Sequence, residues 1–194
     1  RVGPEHPESL ALESEMGAAL LGLGQVEEAL VLLQHAANGR RSQLGITHDR
    51  TRHTLSHYAR ALHLRGLHDE AERLAREVLV ASEDAVGGSH PESALFRYRL
   101  AALLVERGQV DLARPLLEAA HADTHRRYGD AHPRVVEIAR LRATVAQRDD
   151  EGSDRPRLVP NAARGRGASI RPPERTAIAT VYRGDTTSRP NGTR

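Results

Sequence analysis

Eleven of the 194 residues are histidine, the side chain best suited to hold a transition metal or pass a proton near neutral pH. Two pairs, His53 with His57 and His121 with His125, stand four residues apart. On a helix that spacing puts both rings on one face, where they could share a zinc ion. Neither pair carries the Glu of a His-Glu-x-x-His arrangement, and no third ligand is evident. The expectation is therefore solvated histidines and no metal. The acid pairs Glu27-Glu28, Asp69-Glu70 and Asp149-Asp150 could serve acid–base chemistry only if two carboxylates faced each other across a cleft. They sit at helix starts, where the dipole and water account for them. The chain has no Cys, so disulfides, thiolate metal sites and a cysteine nucleophile are excluded. All 28 basic residues are Arg, and without Lys there is no phosphate loop of the Gly-x-x-x-x-Gly-Lys-Ser/Thr kind. The serines lie in no nucleophile elbow, and Gly165-Arg166-Gly167 is too short to read as a phosphate or RNA motif. No catalytic site, cofactor or small-molecule substrate is expected.

The remaining histidines point to architecture. His6, His48, His90 and His132 stand 42 residues apart, each inside a recurring segment. These segments are Val2-Gly3-Pro4-Glu5-His6-Pro7, Leu44-Gly45-Ile46-Thr47-His48-Asp49, Val86-Gly87-Gly88-Ser89-His90-Pro91 and Tyr128-Gly129-Asp130-Ala131-His132-Pro133. A fixed period of this size indicates stacked repeats, a quasi-linear array in place of one closed domain around a pocket. Each unit divides into two helical patterns. First helices are expected over 8–22, 50–64, 92–106 and 134–148, and second helices over 26–40, 68–83 and 110–126. Apolar residues follow i, i+3, i+4 spacing, as in Met16-Leu20-Leu23 and Ala29-Leu32-Leu33-Ala36, and nothing alternates as a strand would. Gly24, Gly66 and Gly108 separate the helices of a unit, and Gly3, Gly45, Gly87 and Gly129 stop the helix before each boundary. The boundary histidines read as structural turn residues. Pro7, Pro91 and Pro133 suit a first helical turn, where no N–H is needed. Asp49 replaces Pro in the second copy and is expected to cap its helix.

After Asp150 the pattern stops. Residues 151–194 hold 9 Arg, 4 acids and five of the ten Pro, whereas 1–150 hold 19 Arg and 22 acids. So little apolar surface cannot offset the entropy of ordering, and 150–194 is expected to be a basic disordered tail. The repeats occupy 1–149, as units 1–42, 43–84, 85–126 and the first helix of a fourth at 127–149. Aromatic residues are only 3% of the chain, so the core must be aliphatic. The tail also lacks aromatic residues interleaved with its arginines, of the kind that stack on bases, so nucleic acid is not an expected partner. No apolar run approaches a membrane span, and a cytoplasmic location is expected. The chain opens at Arg1 inside a boundary segment and is read as a piece of something longer.

These units resemble tetratricopeptide repeats, in the long 42-residue form of kinesin light chains and many bacterial signalling proteins. The family's small and large positions fall on Met16-Gly17, Leu20, Ala29, Leu33 and Ala36. They recur at Tyr58-Ala59, Leu62, Ala71, Ala75 and Val78, and at Leu100-Ala101, Leu104, Ala113, Leu117 and Ala120. HEAT-type helix pairs have an overlapping period, but the Ala opening each second helix favours the tetratricopeptide reading. The resemblance implies an all-α, right-handed superhelix whose first helices line a concave groove. It puts Ala11, Ser14, Ala18, His53, Ser56, Arg60, His63, Leu95, Tyr98, Ala102, Glu106, Glu137 and Arg140 on that face. Ser14, His53, Ser56, Arg60, His63, Tyr98, Glu106 and Arg140 are the candidates for contact with a partner. Where family members place Asn pairs, this chain has Ser14-Glu15, Ser56-His57 and Tyr98-Arg99. It also lacks the Lys/Asn set that clamps chaperone tails. The function implied is a non-enzymatic scaffold that binds a partner peptide or helix in the groove. The alternative is the C-terminal repeat or regulatory region of a larger bacterial signalling enzyme, a serine/threonine kinase or a signal-transduction NTPase.

If residues 151–194 form no part of the packed array, their deletion leaves the melting temperature of 1–150 nearly unchanged. A large drop on truncation would show the tail to be part of the fold.

Overall fold

A computed structural model describes residues 3 and 5–153, with side chains as far as residue 147. The expectation of a disordered tail concerns residues that, from 154 onward, lie outside the described residues. Seven helices follow one another: α1 (Pro7–Gly22), α2 (Val26–Leu44), α3 (Asp49–Leu64), α4 (His68–Val86), α5 (Pro91–Glu106), α6 (Val110–Tyr128) and α7 (Pro133–Ser153). Among the described residues there is no strand.

The boundary segment builds each first helix by the same local chemistry. His6, His48 and His90 adopt extended backbone angles at the N-cap position. In all four copies the ring Nδ1 accepts the backbone N–H two residues on, from Glu8 at 3.3 Å and from Arg50, Glu92 and Arg134 at 3.2 Å each. Imidazole here does the work that Ser or Asp does at most helix starts. Pro7 and Pro91 follow in the first turn. The second copy differs from expectation: His48 is the cap, and Asp49 takes the first helical position. Its Oδ1 accepts the Arg50 N–H at 2.7 Å, a bond that holds the carboxyl below the usual Asp range.

Within a unit the helices are joined by a left-handed glycine. Gly24, Gly66 and Gly108 have φ of 76°, 89° and 75°. The next residue's N–H returns to the carbonyl five positions earlier, Gln25 to Leu20 at 2.9 Å and Gln109 to Leu104 at 2.8 Å. The second helices run three or four residues, and in α6 two, past their expected ends. Nothing in Arg40-Arg41-Ser42-Gln43 breaks a helix, and α2 stops only at Gly45, where φ is 75°.

Each helix packs against its neighbours in sequence, and each first helix also packs against the next first helix. The second helices do not approach one another in this way; an exposed Arg41–Glu77 ion pair bridges α2 and α4. Packing depends on small residues. Ala29, Ala71 and Ala113, in register, are each 0% exposed. A Cβ built on Gly17 would lie 2.5 Å from Leu33 Cγ, and one on Gly39 would lie 2.7 Å from Leu10 Cδ1. One core cluster runs from Ala37 to Val145.

Arginines latch the units together. Arg107 reaches back to Asp69 at 2.6 Å, and Arg65 one unit earlier reaches Glu27 at 3.4 Å. The acids at the starts of the second helices therefore hold a cation from the next first helix as well as favouring the dipole. Arg52, only 2% exposed, donates to both oxygens of Glu92 at 2.9 Å and to the Thr47 carbonyl.

Replacing Ala113, fully enclosed between α5 and α6, with Leu overpacks the third unit and costs roughly 1–3 kcal/mol. Ala102, half-buried on the opposite side of α5, accepts Leu at a much smaller cost. Parallel urea melts of the two variants check this, and equal losses would refute the facing assigned to these helices.

Candidate functional site

A helix presents residues i, i+3, i+4 and i+7 on one face, and repetition every 42 residues extends such a face from α1 to α7. The columns are 11/53/95/137, 14/56/98/140, 15/57/99/141 and 18/60/102/144. Two concavities open along it. One, of about 250 Å³, lies between α3, α5 and α7 and is bordered by Ser56, His57, Arg60, Tyr98, Arg99, Ala102 and Glu137, with Ala59, Ala75 and Leu103 beneath. The other, of about 480 Å³, is bordered by Ala11, Ser14, Glu15 and Ala18 of α1, Arg40 of α2, and Asp49, Arg50, His53 and His57 of α3. His57 borders both.

Of the residues singled out in the sequence, Ser56, Arg60 and Tyr98 meet in the first concavity, and Ser14 and His53 in the second. Ser14 is only 7% exposed, and its hydroxyl is bonded to that of Thr54 at 3.0 Å. His63 and Glu106 form a separate cluster with Arg60 at the far ends of α3 and α5. Glu106 accepts from buried His63 Nε2 at 2.7 Å and from Arg60 at 3.4 Å. His63 Nδ1 is 3.2 Å from His68 Nδ1. With its Nε2–H given to Glu106, Nδ1 of neutral His63 accepts the His68 proton. Burial holds His63 below the usual imidazole range, against the pull of Glu106. Arg140 stands exposed on α7 and borders neither concavity.

The adjoining column of Glu15, His57 and Arg99, named in the sequence but left out of the candidate contacts, carries the strongest electrostatics. Arg99 donates to Ser56 Oγ at 2.8 Å and lies 6.0 Å from the centre of the Phe96 ring. Among the described residues no carboxylate forms an ion pair with it. Burial, then repulsion from Arg134 and Arg60, pushes it down to about 10, with Glu137 opposing. Beside it, burial pushes His57 down to about 4, and the charges of Arg99 and His53 add to the effect. His53 is lowered in the same way. Tyr98 donates to Glu137 at 2.7 Å, and burial raises its pKa. In the second concavity Arg40, 9% exposed, donates to Thr54 Oγ1 at 2.6 Å and to the Arg50 carbonyl at 3.1 Å. It too has no carboxylate ion pair among the described residues. The i+4 partner of each expected groove position was the signal for this column: 15, 57 and 99 complete the face begun by 11, 53 and 95.

Among the described residues no group of three or more His, Asp or Glu side chains could hold an ion. The rings of His121 and His125 stack at 5.9 Å, and His125 Nε2 lies 2.7 Å from Asp130.

Residues 8–84 match the family model described as tetratricopeptide repeat. That stretch is similar to tetratricopeptide repeats, and the helical array is TPR-like in fold. Two solved structures similar to the chain come from Podosopora anserina, from a proposed kinesin light chain with nearly identical TPR-like repeats. One is 25% identical, with a TM-score of 0.69, covering 77% of this chain and 71% of that one. A second structure of the same description is 26% identical, with a TM-score of 0.64, covering 78% and 72%. No curated protein matches. The tetratricopeptide fold is typically an interaction module, and the α1–α3–α5–α7 face carries the two concavities. Among the described residues no helix is long and apolar enough to cross a membrane.

The depressed His57 has a consequence for stability. Between pH 6.5 and about 4 the unfolded chain binds a proton at this ring and the folded chain does not, so stability falls as pH is lowered through that window. Replacing His57 with Gln removes roughly 1–3 kcal/mol of that loss. Urea melts at pH 7 and pH 4.5 check it, and an unchanged difference between the two would show that the ring is solvated.

Proposed function

We propose that this array is a non-enzymatic scaffold whose inner face receives a segment of another protein, extended or helical, and that a carboxylate of that segment seats against Arg99. The observation that carries the reading is a half-buried guanidinium inside a concavity with no carboxylate paired to it. Its serine bond and its place over Phe96 satisfy part of the donor fork and leave the charge uncompensated. A cation in this state is held at a cost that an incoming carboxylate relieves, by Coulomb attraction and by two parallel N–H···O bonds. Nearby acids are engaged elsewhere: Glu137 holds Tyr98, and Glu106 holds Arg60 and His63. The Tyr98 ring borders the same space, and Tyr and Arg are the residues that most often dominate interfaces. Arg40 offers a second cation of the same kind in the adjoining concavity.

Selection from a random displayed peptide library against the full chain tests this. Selected peptides should be rich in Asp and Glu. Arg99→Gln should weaken their binding, read by calorimetry, by roughly tenfold or more, while Arg140→Gln changes it little. Peptides that are neutral, or that bind Arg99→Gln as well as the parent, would defeat the proposal.

A further inference from the structure

The concavity between α3, α5 and α7 gathers more donors than one carboxylate can use. Arg99 spends one N–H on Ser56 Oγ at 2.8 Å, and its other N–H groups meet no acceptor among the described residues. Ser56 receives that bond, and its own proton goes to no acceptor among the described residues. His57 borders the same space. Burial, with the charge of Arg99 adding to it, keeps this ring neutral at pH 7, with one N–H to give. Arg60 borders the space too. Its ion pair with Glu106, at 3.4 Å, is exposed at both ends and worth little. Glu106 lies outside the border and keeps its 2.7 Å bond to buried His63 when Arg60 turns away.

The balance of charge points the same way. Glu137 is the one acid among the bordering residues, and it accepts the Tyr98 hydroxyl at 2.7 Å. Against it stand Arg60, Arg99 and, near the start of α7, Arg134, whose charge acts on Arg99 more strongly than that of Glu137 or Arg60. Arg134 also has no carboxylate ion pair among the described residues. A single carboxylate on the ligand neutralises only half of the excess that three guanidiniums leave over Glu137. A phosphoryl group carries about −1.5 to −2 at pH 7 and three acceptor oxygens. It neutralises nearly all of that excess, and its oxygens match the donors of Arg99, Ser56 and Arg60.

We infer that the α3–α5–α7 concavity is a phosphoryl site, where a phosphoserine or phosphothreonine of the partner segment takes the place of the carboxylate and is held by Arg99, Ser56 and Arg60. Phosphorylation of the partner then strengthens a contact that an acidic side chain makes with Arg99 alone. Arg60 separates the two ligands. The two oxygens of a carboxylate are filled by the Arg99 fork, and the third phosphoryl oxygen calls on the second guanidinium. This rests on the reading that the inner face receives a segment of another protein, and adds what switches that contact on.

Three degenerate peptide pools of one length, with phosphoserine, Glu or Ser fixed at the centre, test this by calorimetry against the full chain. The phosphoserine pool should bind roughly tenfold or more tighter than the Glu pool, and the Ser pool more weakly than both. Arg60→Gln, at an exposed side chain, should weaken the phosphoserine pool about tenfold and the Glu pool little, while Arg99→Gln should weaken both. Equal binding of the phosphoserine and Glu pools, or an equal effect of Arg60→Gln on the two, would overturn the inference and leave the carboxylate reading standing. Failure of every pool to bind would sink both. Phosphoserine binding that survives Arg99→Gln would also overturn it, since the arginines of 151–194 would then be the site. Arg99→Lys, which keeps the charge and loses the fork, replaces the Gln variant if that does not fold. Inorganic phosphate alone should bind about a hundredfold more weakly than the phosphoserine pool, and equal affinity would refute a peptide-borne ligand.

Discussion

Two helices can cross at Gly17 and Leu33 only because position 17 carries no Cβ, which would stand 2.5 Å from Leu33 Cγ. That closeness of approach is the constraint from which the architecture follows. Position 17 recurs as Ala59 and Ala101, and the facing second helices open with fully enclosed Ala29, Ala71 and Ala113. Small side chains at fixed register let the helices of each unit approach closely. Repetition of that register places each first helix against the next first helix. One continuous inner face results, and packed interiors of this density leave little room to alter it.

Charge is laid over this frame in two ways. At the seams arginine is paired: Arg52 with Glu92, Arg97 with Glu83 and Asp123, and Arg107 with Asp69 and Glu72. A buried pair of this kind contributes little net stability but penalises any register in which the partners separate. Inside the concavities arginine is left without an acid, at Arg99 and Arg40. Acids stand on this face too, at Glu15, Asp49 and Glu137, but among the described residues none forms an ion pair with Arg99 or Arg40.

The period, the helix order and the glycine turns were legible because each depends on residues close in sequence and repeated every 42. The four histidine caps were legible as turn residues, though Asp49 misled because Asp is the commoner cap and the His48 ring nitrogen does the same work. Ser14, His53, Ser56, Arg60 and Tyr98 border concavities, while Arg140 borders neither and His63 and Glu106 belong to a cluster of their own. His57 and Arg99 were named on this face but left out of the candidate contacts, because they lie at its i+4 edge. Arg52 stands in a column that holds Leu10 and Ala94, where a charge looks misplaced. Only the fold brings in Glu92, 40 residues away, to make the position tenable. Long-range partners of this sort leave no local trace.

The outer helices have a mechanical consequence. α2, α4 and α6 do not pack on one another, and the exposed Arg41–Glu77 pair is the link described between α2 and α4. Bending such an array spreads or closes the outer row, and the strain falls on the seams between units, where α2 packs on α3, α4 on α5 and α6 on α7. A small change of angle at each seam would add along the array. The width of the inner groove then becomes an elastic quantity, set jointly by the array and by whatever lies in it.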